Sequence, residues 1–366
     1  MQSIRRLLGA GLLLALFGAA QAQAVNPRTF TFGYGLNEQS NQGRAAKVFA
    51  DKVEADSKGR LKVRLSGAAA LGSDVQMQQA LAAGTQEMMV GSTATLVSYA
   101  KEMALWDTPF LFSNTREADA LLDGPIGDRI RNRLKDKGLV GIVYWENGFR
   151  NLTNSKRPIT KMEDLDGVKL RVMQNTVFLD SFRTLGANAV PLAFSDLFGA
   201  LQASTVDGQE NTYNTILSSR FYEVQKYLTV TNHVYSPWIM LASAKWWDKL
   251  TPDEQKVIVD AARASRDFER KDTREEATRA MADLKAKGMQ VNELSFGEAA
   301  RMRNRLTHVY TKIGMDVGMD LWIETQNELM KVRTSHRAIE PQRPAPVEAR
   351  RPAADVKQPA RRPAGT

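Results

Sequence analysis

Hydrophobic positions along this chain switch repeatedly between a period of two and a helical period. Thr29 to Gly33 alternates as a short strand. A helical pattern then runs from about Gln42 to Ser57, stops at Gly59, and gives way to a second alternating stretch, Leu61 to Leu65. Ser73 with Gln76 three residues later predicts a capping box for a helix that runs to Ala83 and stops at Gly84, ahead of the apolar stretch Met88 to Val90. The second half repeats this order. Val140 to Trp145 reads as a buried strand, Thr160 with Glu163 caps a short helix, Val168 to Val172 is a strand, and Val177 to Leu185 is a helix ending at Gly186. Ser195 opens a helix to about Ala203, and Tyr235 to Ala242 is an apolar strand. Strands alternating with helices predict the α/β class, with parallel strands covered by helices and ligands at the strands' carboxyl ends. No internal repeat is present.

The longest helix starts with Thr251 as N-cap, Pro252 at the first helical position and Glu254 completing a capping box; Gly288 is its first plausible stop. Such a helix measures about 54 Å at about 1.5 Å per residue, longer than one small lobe. Val257, Ile258, Ala261, Phe268, Ala280, Met281 and Leu284 spread apolar positions along its length, which predicts a helix spanning two lobes rather than a free arm.

The ends of the chain differ from its body. Arg5 and Arg6, the apolar run Leu7 to Ala20 and the small-residue pattern Ala22-Gln23-Ala24 form a secretory signal over residues 1–24, which implies export to the periplasm. The run is shorter than the ~20 residues a spanning helix needs, so stable membrane insertion is not expected. Of the formal net charge of +9, Arg5 and Arg6 carry +2 and the segment from Lys331 to Thr366 carries +6, which leaves +1 on the body. A nearly neutral body gives no warrant for nucleic-acid binding. The segment 331–366, rich in Pro, Ala and Arg, reads as a disordered tail. The intervening length predicts two lobes: 25–148 plus 237–276 for the first, 149–236 plus 277–330 for the second.

Catalytic patterns are missing. Cysteine is absent and the only histidines are His233, His308 and His336, so thiolate metal sites and histidine pairs at helical spacing are excluded. Gly33-Tyr34-Gly35 starts like a dinucleotide loop, but Glu38 stands where the third glycine belongs. No cofactor and no metal are expected. The acidic stretch Asp253 to Glu276 reads as a solvated helix face.

Arginine beside a strand end is the feature that remains. Arg171 closes the strand Val168 to Val172, and its planar fork suits a carboxylate, although an isolated arginine there also suits an interlobe ion pair. The run Leu165-Asp166-Gly167-Val168-Lys169-Leu170-Arg171-Val172 resembles the signature of TRAP-transporter solute-binding proteins, the DctP family. So do Pro191-Leu192-Ala193-Phe194-Ser195-Asp196-Leu197, Val206-Asp207-Gly208-Gln209-Glu210-Asn211 and Phe221-Tyr222-Glu223-Val224-Gln225-Lys226-Tyr227, in the family's order and spacing. The resemblance covers roughly residues 27 to 325. It implies a two-lobed periplasmic-binding-protein clamshell with mixed or parallel sheets and a long lobe-spanning helix, binding without catalysis, and delivery of an organic acid to TRAP membrane subunits. By the same resemblance Arg171 forms the carboxylate salt bridge, Arg150 is a second ligand-facing base, Asn211 an amide contact and Phe194 a packing residue under the ligand. Family members often carry a polar residue where Gly35 stands, so first-lobe contacts are expected from Asn37, Glu38 or Gln39.

Gln39, Gln174, Asn175, Asn211 and Asn214 supply amides that both donate and accept, as sugar hydroxyls require, and Trp238 and Tyr213 offer faces for an apolar ring. Each amide alone also suits a helix or turn cap. The segments Gln174 to Phe178, Tyr213 to Ser219 and Val234 to Trp238 resemble members that bind hexuronates, which makes glucuronate or galacturonate the expected ligand. A C4-dicarboxylate held at both ends by Arg150 and Arg171 is the alternative. A periplasmic enzyme acting on the same acid is a more distant one.

Overall fold

The computed structural model describes residues 25–337; the expected signal segment and most of the expected tail lie outside them. One nine-stranded mixed sheet runs through the molecule. Its strands are β1 (Arg28–Tyr34), β2 (Leu61–Ser66), β3 (Met88–Ser92), β4 (Leu139–Asn154), β5 (Lys169–Val172), β6 (Asn188–Pro191), β7 (Gly208–Asn211), β8 (Tyr227–Ser243) and β9 (Gln290–Glu293). Two parallel wings, β2-β1-β3 and β7-β5-β6, flank the long antiparallel pair β4–β8, which belongs to both halves. β9 adds a parallel edge to β8.

The long pair is only half visible as hydrophobic pattern. Val140 to Trp145 and Tyr235 to Ala242 pair in the first half. The extensions Gly148 to Asn154 and Tyr227 to Val234 are largely polar and pair in the second half. Register shifts between Glu146 and Gly148 and between Arg150 and Leu152 mark the passage from one half to the other. Gly148 sits there at a φ of +109°, where a side chain is disfavoured.

The helix Pro252–Ala286 carries the expected cap, with Thr251 and Glu254 hydrogen-bonded reciprocally. Ile258, Ala261 and Ala262 enter the core under β1 and β3, and Leu284 enters the core of Leu197, Ile216 and Leu228. Between them the buried positions are Ser265, Glu269, Arg270, Thr273 and Ala280, four of the five polar, whereas Phe268 is exposed. The acidic stretch is therefore not wholly a solvated face. Glu269 is fully buried, accepts the Glu146 backbone N–H at 2.8 Å and the Thr273 hydroxyl at 2.7 Å, and burial pushes its carboxyl up to about 8. The helix is polar along this stretch because it meets polar partners there, the Glu146 backbone N–H and the side chains of Asn41, Asp119, Asp123 and Glu146.

Two smaller expectations change. Thr160 precedes a 3-10 turn, Met162–Leu165, with Asp164 as the acceptor, and the helix after Ser195 is Leu197–Gln202. The C-terminal region is not confined to the second lobe. Met302, Val309, Ile313, Val317 and Leu329 share one core with Met103 and Trp106 of the first half and with Phe178 and Phe182 of the second.

The tail does not begin at Lys331. The helix Met319–Arg337 continues through it, and Arg333 pairs with the nearly buried Glu117 at 2.8 Å. Glu117 also accepts the Ser113 backbone N–H, so only part of its hydrogen bonding depends on Arg333. Arg333→Ala is expected to destabilise by about 1 kcal/mol, read as a lowered melting temperature with ligand affinity unchanged. An unaltered melting temperature would show the pair to be energetically idle.

Candidate functional site

The two wings present their carboxyl ends to a single cavity. Gly35 just past β1, Ser92 at the end of β3, Arg171 and Met173 at the end of β5, and Asn211 at the end of β7 all line it. Asn147 and Arg150 from β4 and Trp238 from β8 line it from the long antiparallel pair. The halves touch around it. Asn37 Nδ2 donates to the Ser218 carbonyl at 2.9 Å, and Asn175 Nδ2 donates to the Ala94 carbonyl at 2.8 Å and to Asp107 Oδ2 at 2.7 Å.

Arg171 is only 2% exposed. Its Nε donates to the Leu192 carbonyl at 2.8 Å, while among the described residues its two terminal nitrogens have no hydrogen-bond partner and no carboxylate in salt-bridge reach. Burial pushes the guanidinium down to about 10, against the opposing pull of Glu210 and Asp74. A buried guanidinium with both terminal nitrogens unpaired suits an anion that accepts two parallel hydrogen bonds.

Arg150 is different. It lines the cavity, but its guanidinium is clamped on both carboxylate oxygens of Glu210 and donates to the Glu210 carbonyl at 2.6 Å. His233 adds an Nε2 contact to the same carboxylate at 3.1 Å, with Thr231 on its other nitrogen. Burial alone would push the Glu210 carboxyl up; Arg150 and His233 outweigh it and hold it below the ordinary range. Arg150 thus reaches the ligand space already neutralised, and His233 is a structural member of this buried cluster.

Arg171, Arg150, Asn211, Phe194 and Trp238 line this one cavity; Gln39, Gln174, Asn175 and Asn214 do not. Gln39, Glu38 and Gln174 are exposed and outside the lining. Asn175 is the N-cap of the helix Thr176–Thr184 and holds the two halves together. Asn214 donates to the Thr273 carbonyl and, with Tyr213, lines a separate hollow behind the hinge. Asn37 spends its side chain on the Ser218 contact and on the Gln39 and Ser40 backbone.

Sequence reasoning missed Gln42, Asp74, Ser92, Asn147, Met173 and Thr215. Ser92 and Met173 were accessible from the rule that ligands lie at the carboxyl ends of parallel strands. Asn147 was not, because the bulge of β4 turns it inward, where its Oδ1 accepts the Thr212 and Thr215 hydroxyls at 3.1 Å each.

Residues 32–315 match the family described as bacterial extracellular solute-binding protein, family 7, or DctP. The chain belongs to that family. Among relatives of this DctP protein, the 2,3-diketo-L-gulonate-binding periplasmic protein YiaO of Escherichia coli is 33% identical over 280 residues, 76% of this chain and 85% of that protein. Of solved structures, the sugar acid binding protein DctPAm from Advenella mimigardefordensis, in complex with galactonate, is 44% identical with a TM-score of 0.83, covering 84% of this chain and 99% of that one. A TRAP periplasmic solute-binding protein from Polaromonas bound to D-erythronate is 38% identical with a TM-score of 0.79, covering 81% and 98%. The DctP protein is thereby a TRAP solute-binding protein for organic acids with the mixed α/β fold of its neighbours. Among the described residues no helix is long and apolar enough to cross a membrane.

Proposed function

We propose that this protein captures a sugar acid carrying a single carboxylate in the periplasm and delivers it, unchanged, to TRAP membrane subunits. The observation that carries this reading is the pairing of the guanidinium groups in the cavity. Arg171 keeps both terminal nitrogens unpaired among the described residues, whereas Arg150 is held on both carboxylate oxygens of Glu210. One unpaired guanidinium fork suits one carboxylate. A C4-dicarboxylate would bury a second charge without a free partner, at a cost of several kcal/mol.

Around that anchor, Asn147, Asn211 and Gln42 present amide groups suited to hydroxyl oxygens, and Trp238 and Phe194 supply apolar surface. Hexuronates and open-chain aldonates both satisfy this pattern. The relatives that hold galactonate and D-erythronate favour an acid of the aldonate kind, and glucuronate and galacturonate remain its cyclic counterparts. Closure of one half on the other removes water from the ion pair and creates the form a membrane partner recognises.

Calorimetric titration with galactonate, glucuronate, galacturonate and succinate tests the reading. At least one sugar acid should bind at least about a hundredfold more tightly than succinate and be recovered chemically intact. Tighter binding of succinate than of all three sugar acids would overturn it.

A further inference from the structure

The helix Met319–Arg337 is fixed on one face and unpartnered on the other. Thr325 and Leu329 are fully buried, Trp322 packs against the same core, and Arg333 holds Glu117. On the outer face Met319, Ile323 and Met330 are 50%, 51% and 62% exposed. Met315, in the preceding helix Thr307–Val317, is exposed as well. Single apolar residues are ordinary on a surface, but a row of them at helical spacing marks a place where something binds. None of the four lines the ligand cavity, so capture of the ligand does not explain them.

The order of residues in this row limits its partner. Met319, Ile323, Asn327, Met330 and Thr334 follow one another three or four positions apart and form a line along the helix. Helical geometry puts Met319, Ile323 and Met330 to one side of Asn327 and Asp320, Glu324 and Lys331 to the other. Within the chain Glu324 pairs with Arg129 and Lys331 with Glu328, while Asp320 has no salt bridge among the described residues. Two such helices packed antiparallel about a two-fold axis at Asn327 set apolar edge against apolar edge and charged edge against charged edge. Ile323 of one copy then comes level with Met330 of the other. Lys331 of one copy falls between Asp320 and Glu324 of the other, where opposite charges meet. A parallel pair would set each apolar edge against a charged one.

We infer that this face joins two copies of the chain, through antiparallel pairing of their Met319–Arg337 helices about Asn327. The row from Met319 to Thr334 is about 22 Å long at about 1.5 Å per residue. A single helix pair of that length is a small interface, so the two copies associate reversibly with concentration. Each copy keeps its own cavity, because the pairing uses none of the residues that line it.

Analytical ultracentrifugation of the purified protein between about 1 μM and 1 mM tests the inference. The mass of wild type should rise with concentration toward that of two chains. Ile323→Glu and Met330→Glu each place a charge in the apolar edge and should raise the dissociation constant at least about tenfold. Their melting curves should match wild type at low concentration, because both positions are exposed. The chain has no cysteine, so single introduced thiols report the geometry. Asn327→Cys, at the axis, should cross-link to its own copy with a short bis-maleimide. Met319→Cys should not, because its thiols lie about 24 Å apart across an antiparallel pair centred on Asn327. A wild type monomeric at every concentration, glutamate variants that dimerise as well as wild type, or equal cross-linking at Met319→Cys and Asn327→Cys would each overturn the pairing. A full-length chain that stays monomeric and dimerises only after deletion of residues 338–366 would also overturn it, and would assign the face to that basic segment.

Discussion

Arg171→Met is expected to abolish ligand binding while leaving the melting temperature of the ligand-free protein unchanged or raised. Two consequences of one geometry produce this pairing. In the proposed complex the guanidinium would meet the ligand carboxylate through two parallel hydrogen bonds, and losing one partner of a buried ion pair costs about 3 to 5 kcal/mol. That corresponds to an affinity loss of roughly a hundredfold to several thousandfold. Without ligand the same group is a liability, since it is 2% exposed with only its Nε bonded, to the Leu192 carbonyl.

The pH dependence has a definite sign. The guanidinium sits at about 10 in the fold, below its ordinary range, so the unfolded chain binds the extra proton more readily. The penalty on the ligand-free fold is complete below about 10 and fades as pH rises from there toward the ordinary arginine range. Arg171→Lys should also lose at least about tenfold in affinity, because an ammonium cannot reproduce the planar fork. Calorimetry and scanning melts on both variants check the pair of effects. Wild-type affinity in Arg171→Met would remove the residue from the site, and a large fall in its melting temperature would contradict the unpaired state of its terminal nitrogens in the free protein.

Arg150→Gln is expected to do the reverse, damaging the fold first. Glu210 is fully buried, and its two carboxylate oxygens are held by Arg150 with His233 alongside. Removing the guanidinium strands that carboxylate, which should cost about 3 to 5 kcal/mol and lower the melting temperature by several degrees. The guanidinium also lies 5.6 Å from the centre of the Phe178 ring, so some packing is lost with the charge. Adding Glu210→Gln to Arg150→Gln removes the stranded charge and should recover a large part of the loss. A double-mutant cycle on melting free energy reads this coupling directly. If Arg150→Gln left stability intact and cut succinate affinity as deeply as Arg171→Met does, Arg150 would be a second ligand anchor and the dicarboxylate alternative would return.

These two arginines show how far the chain could be read. Both stand at strand positions, both resemble ligand-facing residues of the DctP family, and both line the cavity. Nothing local to Arg150 says that Glu210, sixty positions away, neutralises it. The amides divide in the same way. Asn211 keeps its Nδ2 free for the cavity, whereas Asn175 is occupied by its own helix and by Asp107, 68 positions away.

What the sequence alone determined is the part that depends on neighbours in the chain. The capped helix starts at Ser73 and Thr251, the apolar strands of β1, β3 and the first halves of β4 and β8, and the length of the spanning helix follow from local pattern, and so does the family resemblance that carries Arg171. Tertiary structure decided the rest. The strand β7 is entirely buried and yet reads Gly-Gln-Glu-Asn, because pairing with β4 and β5 satisfies its backbone while Arg150 and His233 satisfy Glu210. Glu269 lies buried in a helix face that reads as solvated, because the bulge in β4 turns the Glu146 N–H toward it from 123 positions away. Local pattern records whether a residue is apolar, but a polar side chain's role depends on whether distant partners complete its hydrogen bonds or leave one free for a ligand. That is why Asp74 and Asn147, the one at a helix start and the other in a bulge, become visible as parts of the site only in the folded molecule.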